Sequence, residues 1–527
     1  MRTYNPSSQL TIEGFETPFE NKLLPNNRWI KLAQSIPWDE CAAIYLRTLS
    51  SKMGRPGIDA RLAVGTLVIK HLKGLSDREA IQSIQENIYL QYFVGFSSFN
   101  PYPAFDPSLM VTLRKRMGEK EFDEMNDLIL QKALGLKKQE SKQAVEKEDL
   151  EEVSGQENTS TSSDNISDKA EAKRNNKGKL KLDATVADQM IVYPTDLNLL
   201  NKAREESERL IDQLFKRSER KIKPRTYRRI AHKRYLKVAK KKQKTKREIR
   251  KAIGQQLRYL KRNFKTINQL WDESGQNRSP FSTRRDLQIF WVIQLIFDQQ
   301  SKMYEERIHR HSDRIVNIYQ PYVRPIVRGK EKHKVEFGSK IGASEFDGFT
   351  RLDHLSWDAY NESSDLILQV QRYKKLTGYY PDVVMVDRIY MTRANRKWLK
   401  EKRIRHIGKP LGKSKELTPY QKRKQRIERN MRNHIEGKFG QAKNGYELNK
   451  IRARRADTSQ SWIACIILVL NLIRWEKIMP AILFLVEFFI DFFSYFSILL
   501  VPRVPLKLAM NKYLISPNFK IEKSNGG

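Results

Sequence analysis

Cysteine is almost missing from this chain: 527 residues hold two, Cys41 and Cys465, far apart in sequence. That excludes a disulfide framework and a cysteine-based zinc site, and a reducing cytoplasm is expected. Histidine is also scarce, at eight, and residues such as His406 and His434 have no paired spacing, so they are expected to be structural or solvent-facing rather than metal ligands. The opening residues MRTYNPSSQL lack an apolar core, and no signal peptide is expected. Acidic residues are the minority, 61 against 99 Lys and Arg, for a net charge of +38. A duplex carries one phosphate per ~1.7 Å of axis, so this excess points to a nucleic-acid partner bound in a salt-sensitive way. The length allows two or three domains.

Residues 1–137 read as an all-helical N-terminal domain. Ile58, Leu62, Gly65, Ile69 and Leu72 line one helical face. Gly74 ends that helix, and Ser76 with Glu79 forms a capping box for the next. Two short helices across a glycine turn outline a helix-turn-helix, although a small helical bundle without DNA contact reads the same way. Asp106 before Pro107 is expected to cap a further helix ending in Arg114, Lys115 and Arg116. Residues 138–177 are rich in Glu, Ser, Lys and Asn and nearly devoid of large apolar side chains. They are expected to be a disordered linker.

From residue 178 the pattern changes. KLKLDATVADQM reads as a strand carrying Asp183. Thr195 caps a helix along Leu197, Leu200, Ala203, Leu210 and Leu214. Lys216 to Arg262 is densely basic with interleaved Tyr227, Tyr235 and Tyr259. Ile249, Ile253, Leu257, Leu260, Phe264, Ile267 and Trp271 form a coiled-coil-like seam on which an apolar helix, Leu287 to Ile308, could pack. This is a helical insertion over about 197–325, readable as a solvated arm or as a basic arm tracking phosphates. A hairpin then turns at Asp347-Gly348, and a helix follows over Ser364–Leu376. Val383 to Val386 is a continuous apolar run, a strand buried on both faces and ending at Asp387. A helix (Asn395–Lys402), a short strand (Ile404–Ile407), a glycine-proline loop and a long helix with Ile427, Met431, Ile435 and Phe439 on one stripe complete the unit. The order is that of an α/β ribonuclease H-like domain.

Arg432, Glu436 and Lys443 share a face of that last helix beside its apolar stripe. Alone, they would be an ordinary ion-paired, solvated face. Asp183 and Asp387 change the reading, since each lies at a strand-like run, where open α/β folds place their sites. Asp183 followed by Thr185, Asp387 at a strand end, and Arg432, Glu436 and Lys443 on a later helix resemble the DDE-class transposases of bacterial insertion sequences. The resemblance covers about Ser51 to Leu472, and the N-terminal helices are similar to the domain with which those transposases bind terminal inverted repeats. It implies that Asp183, Asp387 and Glu436 are both the catalytic residues and the metal ligands. They would hold two Mg²⁺ (or Mn²⁺) about 4 Å apart, to activate a water or 3′-hydroxyl and stabilise the departing oxygen. It implies that Arg432 and Lys443 grip phosphates, and that the partners are double-stranded DNA (inverted repeats and target) and a second copy of the chain. The location it implies is cytoplasmic, on the nucleoid.

Two positions depart from the pattern. Arg429 stands where many relatives have tyrosine, and Ile389 stands where many have glycine in Asp-Arg-Gly-Tyr. Neither removes a metal ligand. Asp188 is the strongest rival to Asp183, while Asp196, Asp347 and Glu428 suit turn or cap roles better. The gap from Asp387 to Glu436 is too short for the large β insertion some transposases carry there. Rival functions are a metal-dependent nuclease of the same fold and a non-catalytic DNA-binding derivative. Finally, Asp457 is expected to cap a helix, TSQSWIACIILVLNLIRW, apolar almost all round and so buried. In the tail, 476–527, the run MPAILFLVEFFIDFFSYFSILLVP is about long enough for a bilayer, but Glu487 and Asp491 interrupt it. A packing helix or dimer contact is expected there rather than a membrane span.

Overall fold

The structure, a computed structural model, describes residues 22–50, 57–151, 176–274, 280–327, 335–407 and 418–500, with the side chains of 136–151, 424–425 and 479–500 left out. The greater part of the expected linker, the glycine-proline loop before the long helix, and the side chains of the C-terminal apolar run therefore lie outside the described residues. The chain divides into two compact units, Met1–Arg474 and Trp475–Gly527. The first is mixed α/β, with a helical N-terminal region and one six-stranded sheet.

Among the described residues, seven helices open the first unit: α1 (Arg28–Ser35), α2 (Trp38–Arg47), α3 (Ala60–Lys73), α4 (Asp77–Glu86), α5 (Ile88–Phe93), α6 (Leu109–Arg116) and α7 (Glu119–Glu151). The local signals hold where they are local. Asp59 caps α3, Gly74 ends it at φ 66°, and the Ser76–Glu79 capping box starts α4. Asp106 instead accepts the N–H of Ser108 at 2.8 Å, and α6 begins beyond it at Leu109. A short Asp side chain bonding two residues ahead makes a turn rather than a cap. Arg114 is buried, donating to both carboxylate oxygens of Asp77 at 2.8 and 2.7 Å. Helix α7 runs to Glu151, into the first part of the expected linker.

Strand β1 (Lys179–Asp188) enters the centre of the sheet. The chain then leaves for a four-helix insertion, α8 (Asp196–Phe215), α9 (Arg228–Ala239), α10 (Lys246–Glu273) and α11 (Arg284–Glu305). The insertion has its own core, in which Leu257, Leu260 and Ile267 of α10 meet Leu200 and Leu210 of α8 and Phe290 and Ile293 of α11. The α10 seam is thus covered by two helices rather than by a single coiled-coil partner. The sheet resumes with β2 (Arg324–Val327), β3 (Val335–Phe346) and β4 (Phe349–Ser356). β3 and β4 turn at Asp347 (φ 54°) and Gly348 (φ 85°), the left-handed pair a tight hairpin needs. Helix α12 (Leu366–Thr377), β5 (Val383–Met385), α13 (Arg393–Glu401), β6 (Arg405–Ile407), α14 (Pro419–Gly445) and α15 (Ala456–Leu500) follow. β3 is antiparallel to β1, whereas β5 is parallel to β1 and β6 to β5; β2 and β4 also pair with β3.

Up to Ile473, α15 is the helix around which the N-terminal helices and the sheet share one core: Trp462, Ile463, Ile466 and Val469 cluster with Leu67, Met110, Phe122 and Ile341. It is long and apolar enough over Ala456–Ile478 to cross a membrane, but 83 % of its apolar window is buried inside the protein. A polar clasp lies within this core. Buried Asn471 donates to the carbonyl of Thr350 at 2.6 Å and to Oδ1 of Asn126 at 2.5 Å, and accepts the N–H of Thr350 at 2.8 Å. It therefore joins α15, β4 and α7. Asn471→Leu keeps the volume but strands those partners, so it should destabilise the protein by about 2–4 kcal/mol, seen as a lowered Tm, whereas an exposed control such as Lys265→Ala should leave Tm unchanged.

Candidate active site

Strand β1 alternates strictly. Leu180, Leu182, Ala184 and Val186 fall on one face and Lys179, Lys181, Asp183, Thr185 and Ala187 on the other. The second face lies under α14. Lys179 reaches the sulfur of Met431 at 3.6 Å, and Ile435 and Phe439 pack on Ala343, the β3 residue opposite Asp183. Further along, Lys443 lies 3.9 Å from Asp188 and 3.7 Å from Glu336. Helix α14 thus follows β1 in the same direction, which brings Glu436 toward Asp183.

Asp183 is the electrostatic focus. Burial pushes its carboxyl up to about 6. The Ala184 N–H and the Arg432 guanidinium oppose the shift, and the negative charges of Glu362 and Glu436 add to it. Its Oδ1 accepts the Ala184 N–H at 2.8 Å. Glu436 is half exposed and accepts from Arg432 at 2.6 Å, the i,i+4 pair expected from the sequence. One cation therefore serves both acids.

Asp387 lies just past the end of β5, the parallel neighbour of β1. β5 pairs with β1 in parallel, Lys179 with Val383 and Lys181 with Met385. The ladder ends there, and Asp387 follows two residues past the end of β5, as Asp183 follows two residues past Lys181. Asp387 itself is exposed and caps a short 3-10 turn, Arg388–Tyr390, with its Oδ1 accepting the Arg388 N–H at 2.7 Å. Among the described residues, no three His, Cys, Asp or Glu side chains stand close enough together to hold a metal ion. The donors nonetheless fit a hard divalent cation in kind: all are carboxylate oxygens, and the charge crowding at Asp183 is what a cation relieves.

Two side chains near Asp183 were not among those expected. Glu362 accepts from Lys340 at 2.8 Å. Tyr390 is fully buried, and its hydroxyl has no hydrogen-bond partner among the described residues. Burial, then the charges of Glu362 and Asp183, push that hydroxyl's pKa upward. Asn395 ties the two together, donating to the carbonyls of Ser363 at 2.7 Å and Tyr390 at 2.8 Å. The aromatic three residues after a strand-end aspartate was a visible signal for Tyr390. Glu362, in the aperiodic NESSD, gave none.

The rival acids have other work. Asp188 faces Lys443, Asp196 pairs with Arg314 at 2.5 Å, Glu428 pairs with Arg405, and Asp347 holds the hairpin turn. His434 is exposed, and His406 is half-buried, with its pKa lowered by burial and by Arg396.

Residues 384–473, which span Asp387, Arg432, Glu436 and Lys443, match the family described as transposase DDE domain. Residues 17–116, covering α1 to α6, match transposase domain (DUF772). An uncharacterized protein, ORF8 of the nfe locus of Rhizobium meliloti, is 34 % identical over 137 residues, 25 % of this chain. The chain spans 64 % of that relative's length. No solved structure matches. The two family matches, one over the N-terminal helices and one from β5 through β6 and α14, indicate an insertion-sequence transposase of the DDE class.

Proposed function

We propose that this protein cleaves DNA at the terminal inverted repeats of an insertion sequence and joins the freed ends to target DNA, in a divalent-metal-dependent reaction. The observation that supports the reading is the parallel β1–β5 pairing of Lys181 with Met385, from which Asp183 and Asp387 each lie two residues on, together with Glu436 of α14 among the charges acting on Asp183. The antiparallel β3–β4 hairpin on one side of β1 and parallel β5 and β6 on the other support a ribonuclease H-like catalytic domain.

Asp183, Asp387 and Glu436 would hold two Mg²⁺, or Mn²⁺, which supply nucleophile activation and leaving-group stabilisation when bound. The chain's own contribution is positioning. Asp387 would turn from the Arg388 N–H toward Asp183, and Glu436 would exchange Arg432 for the metal. Arg432, so released, is a planar fork suited to a phosphate beside the scissile bond. Lys443, facing Asp188 and Glu336 at the end of β1, would act as a point charge farther along the same DNA strand. The helical N-terminal domain would recognise the repeats. The working form would be a homodimer on DNA, in the cytoplasm and not in a membrane. A second reading, a DNA-binding derivative without catalysis, is favoured by one observation: the three carboxylates are not gathered into a metal-binding group.

Two experiments bear on this. With Mn²⁺ or Mg²⁺ and a duplex bearing the element's ends, the wild-type chain should nick the repeats and, given target DNA, yield joined product. Asp387→Ala should abolish both, by about 10³-fold or more, while Asp347→Ala retains them; nicking that survives Asp387→Ala would remove the catalytic reading. In the metal-free protein, carboxyl ¹³C NMR should find Asp183 titrating near 6. Arg432→Gln removes a charge that lowers this value, so the midpoint should move higher. The sign for stability follows: neutral Asp183 favours the fold, that contribution is complete below its unfolded value near 4, and it is lost as pH rises through about 6. Asp183→Asn should therefore raise the metal-free Tm at pH 8 and leave it unchanged at pH 3.

A further inference from the structure

Between Lys216 and Arg262 the chain has 22 Lys and Arg against two acids, Glu219 and Glu248. The fold sorts this charge. Several carboxylates of the insertion are taken up by its own cations: Glu208 pairs with Arg204 at 2.5 Å, Glu206 with Arg209 at 2.8 Å, and Asp286 with Arg209 at 2.8 Å. Asp212 takes Arg228 at 2.7 Å and Lys223 at 2.8 Å, Glu248 takes Lys241, and Glu273 takes Arg220. Helix α9 is held over this layer by Ala231, by Arg234 donating to the Tyr259 hydroxyl at 2.9 Å, and by Tyr235 donating to Asn198 at 3.0 Å. Its first turn is fixed by Arg262 stacked 4.2 Å from the Tyr227 ring.

What remains outward is a single-sign stripe. Arg229, Lys233, Lys237 and Lys240 recur at helical spacing on α9 and are all exposed. They have no acidic partner among the described residues. Lys242, Lys244 and Lys246, in the turn and at the start of α10, continue the row, also exposed. On α9 alone the stripe extends about 16 Å at 1.5 Å per residue, roughly five phosphate steps along one strand of a duplex. It borders an open hollow of about 780 Å³ whose rim includes Lys233, Arg234, Lys237 and Lys240.

We propose that α9 and the lysine-rich turn before α10 form a second duplex-binding surface, separate from the carboxylate site, that holds DNA by its phosphates without reading sequence. The α9 part of the row is rigidly mounted and all lysine or arginine, so it suits the repeated charge of a duplex backbone rather than the reading of base edges. β1, which carries Asp183, continues through a short connection into α8, so the arm is rooted in the strand that holds the site. The proposal rests on the DNA-acting reading above only for its biological setting.

The test is equilibrium binding of the full chain to a short duplex of scrambled sequence across a salt series. Lys233, Lys237, Lys240 and Lys244 are all changed to Gln in one variant and to Arg in a second. The Gln variant should lose at least about tenfold in affinity and flatten the log K against log salt slope by about 3.6, that is ~0.9 for each phosphate contact removed. The Arg variant should restore both. An unchanged slope and affinity in a Gln variant with wild-type Tm would overturn the proposal, as would loss of affinity for anionic vesicles but not for duplex. If the arm variant binds normally while the wild-type chain cleaves and joins DNA, the arm fails and the transposase reading stands. If the chain never cleaves yet the Gln variant loses duplex binding, the reverse holds.

Discussion

Strand β1 is bonded along both edges, and the rest of the site depends on that double constraint. The antiparallel ladder to β3 runs from Lys181 to Asp188, and the parallel ladder to β5 from Lys179 to Lys181. With both edges fixed, no slip is open to it: a shift of one residue would carry Asp183 to the opposite, buried face and turn Leu180, Leu182 and Val186 toward α14. The ladder to β3 also determines where α14 can lie, because Ile435 and Phe439 need Ala343 beneath them. The distance between Asp183 and Glu436, residues far apart in sequence, is thus set by backbone hydrogen bonds and two apolar contacts rather than by anything the carboxylates do. Their mutual repulsion acts against the arrangement, and packing overrides it.

Much of this was legible from residues whose signals are short-range. The run Val383–Val386 is buried throughout, as a both-face strand should be, and the caps Ser76 and Thr195 both accept the N–H bonds their positions suggest. The almost wholly apolar α15 became the core helix. Periodicity misled where tertiary context intervened. Ile427 belongs to the α14 stripe by spacing but is 47 % exposed, since it fronts an open cavity of about 410 Å³ beside Met385 and Arg405 instead of the sheet. Lys443 shares a helical face with Glu436, yet two turns of helix carry it about 10 Å onward, to Asp188 and Glu336. Glu362 was invisible because a turn after the hairpin brings it in, and no local pattern encodes such a contact.

Charge follows the same logic of burial. Cations inside the protein are matched: Arg114 and Lys70 by Asp77, Lys181 by Glu345, Arg204 by Glu208, Arg351 by Asp123 and Asp127. A buried unpaired ammonium or guanidinium would cost several kcal/mol, so inner positions draw on a limited supply of acids. With 61 acids for 99 bases, the excess is left on outer faces, and α9 receives a concentrated share of it. Self-repulsion among those lysines works against the folded state, while a polyanion lying along them relieves it. A ligand that binds the folded form and not the unfolded one adds to stability in proportion to the logarithm of its excess over Kd. For a chain of this composition, a duplex bound as proposed would therefore serve also as a structural counterion.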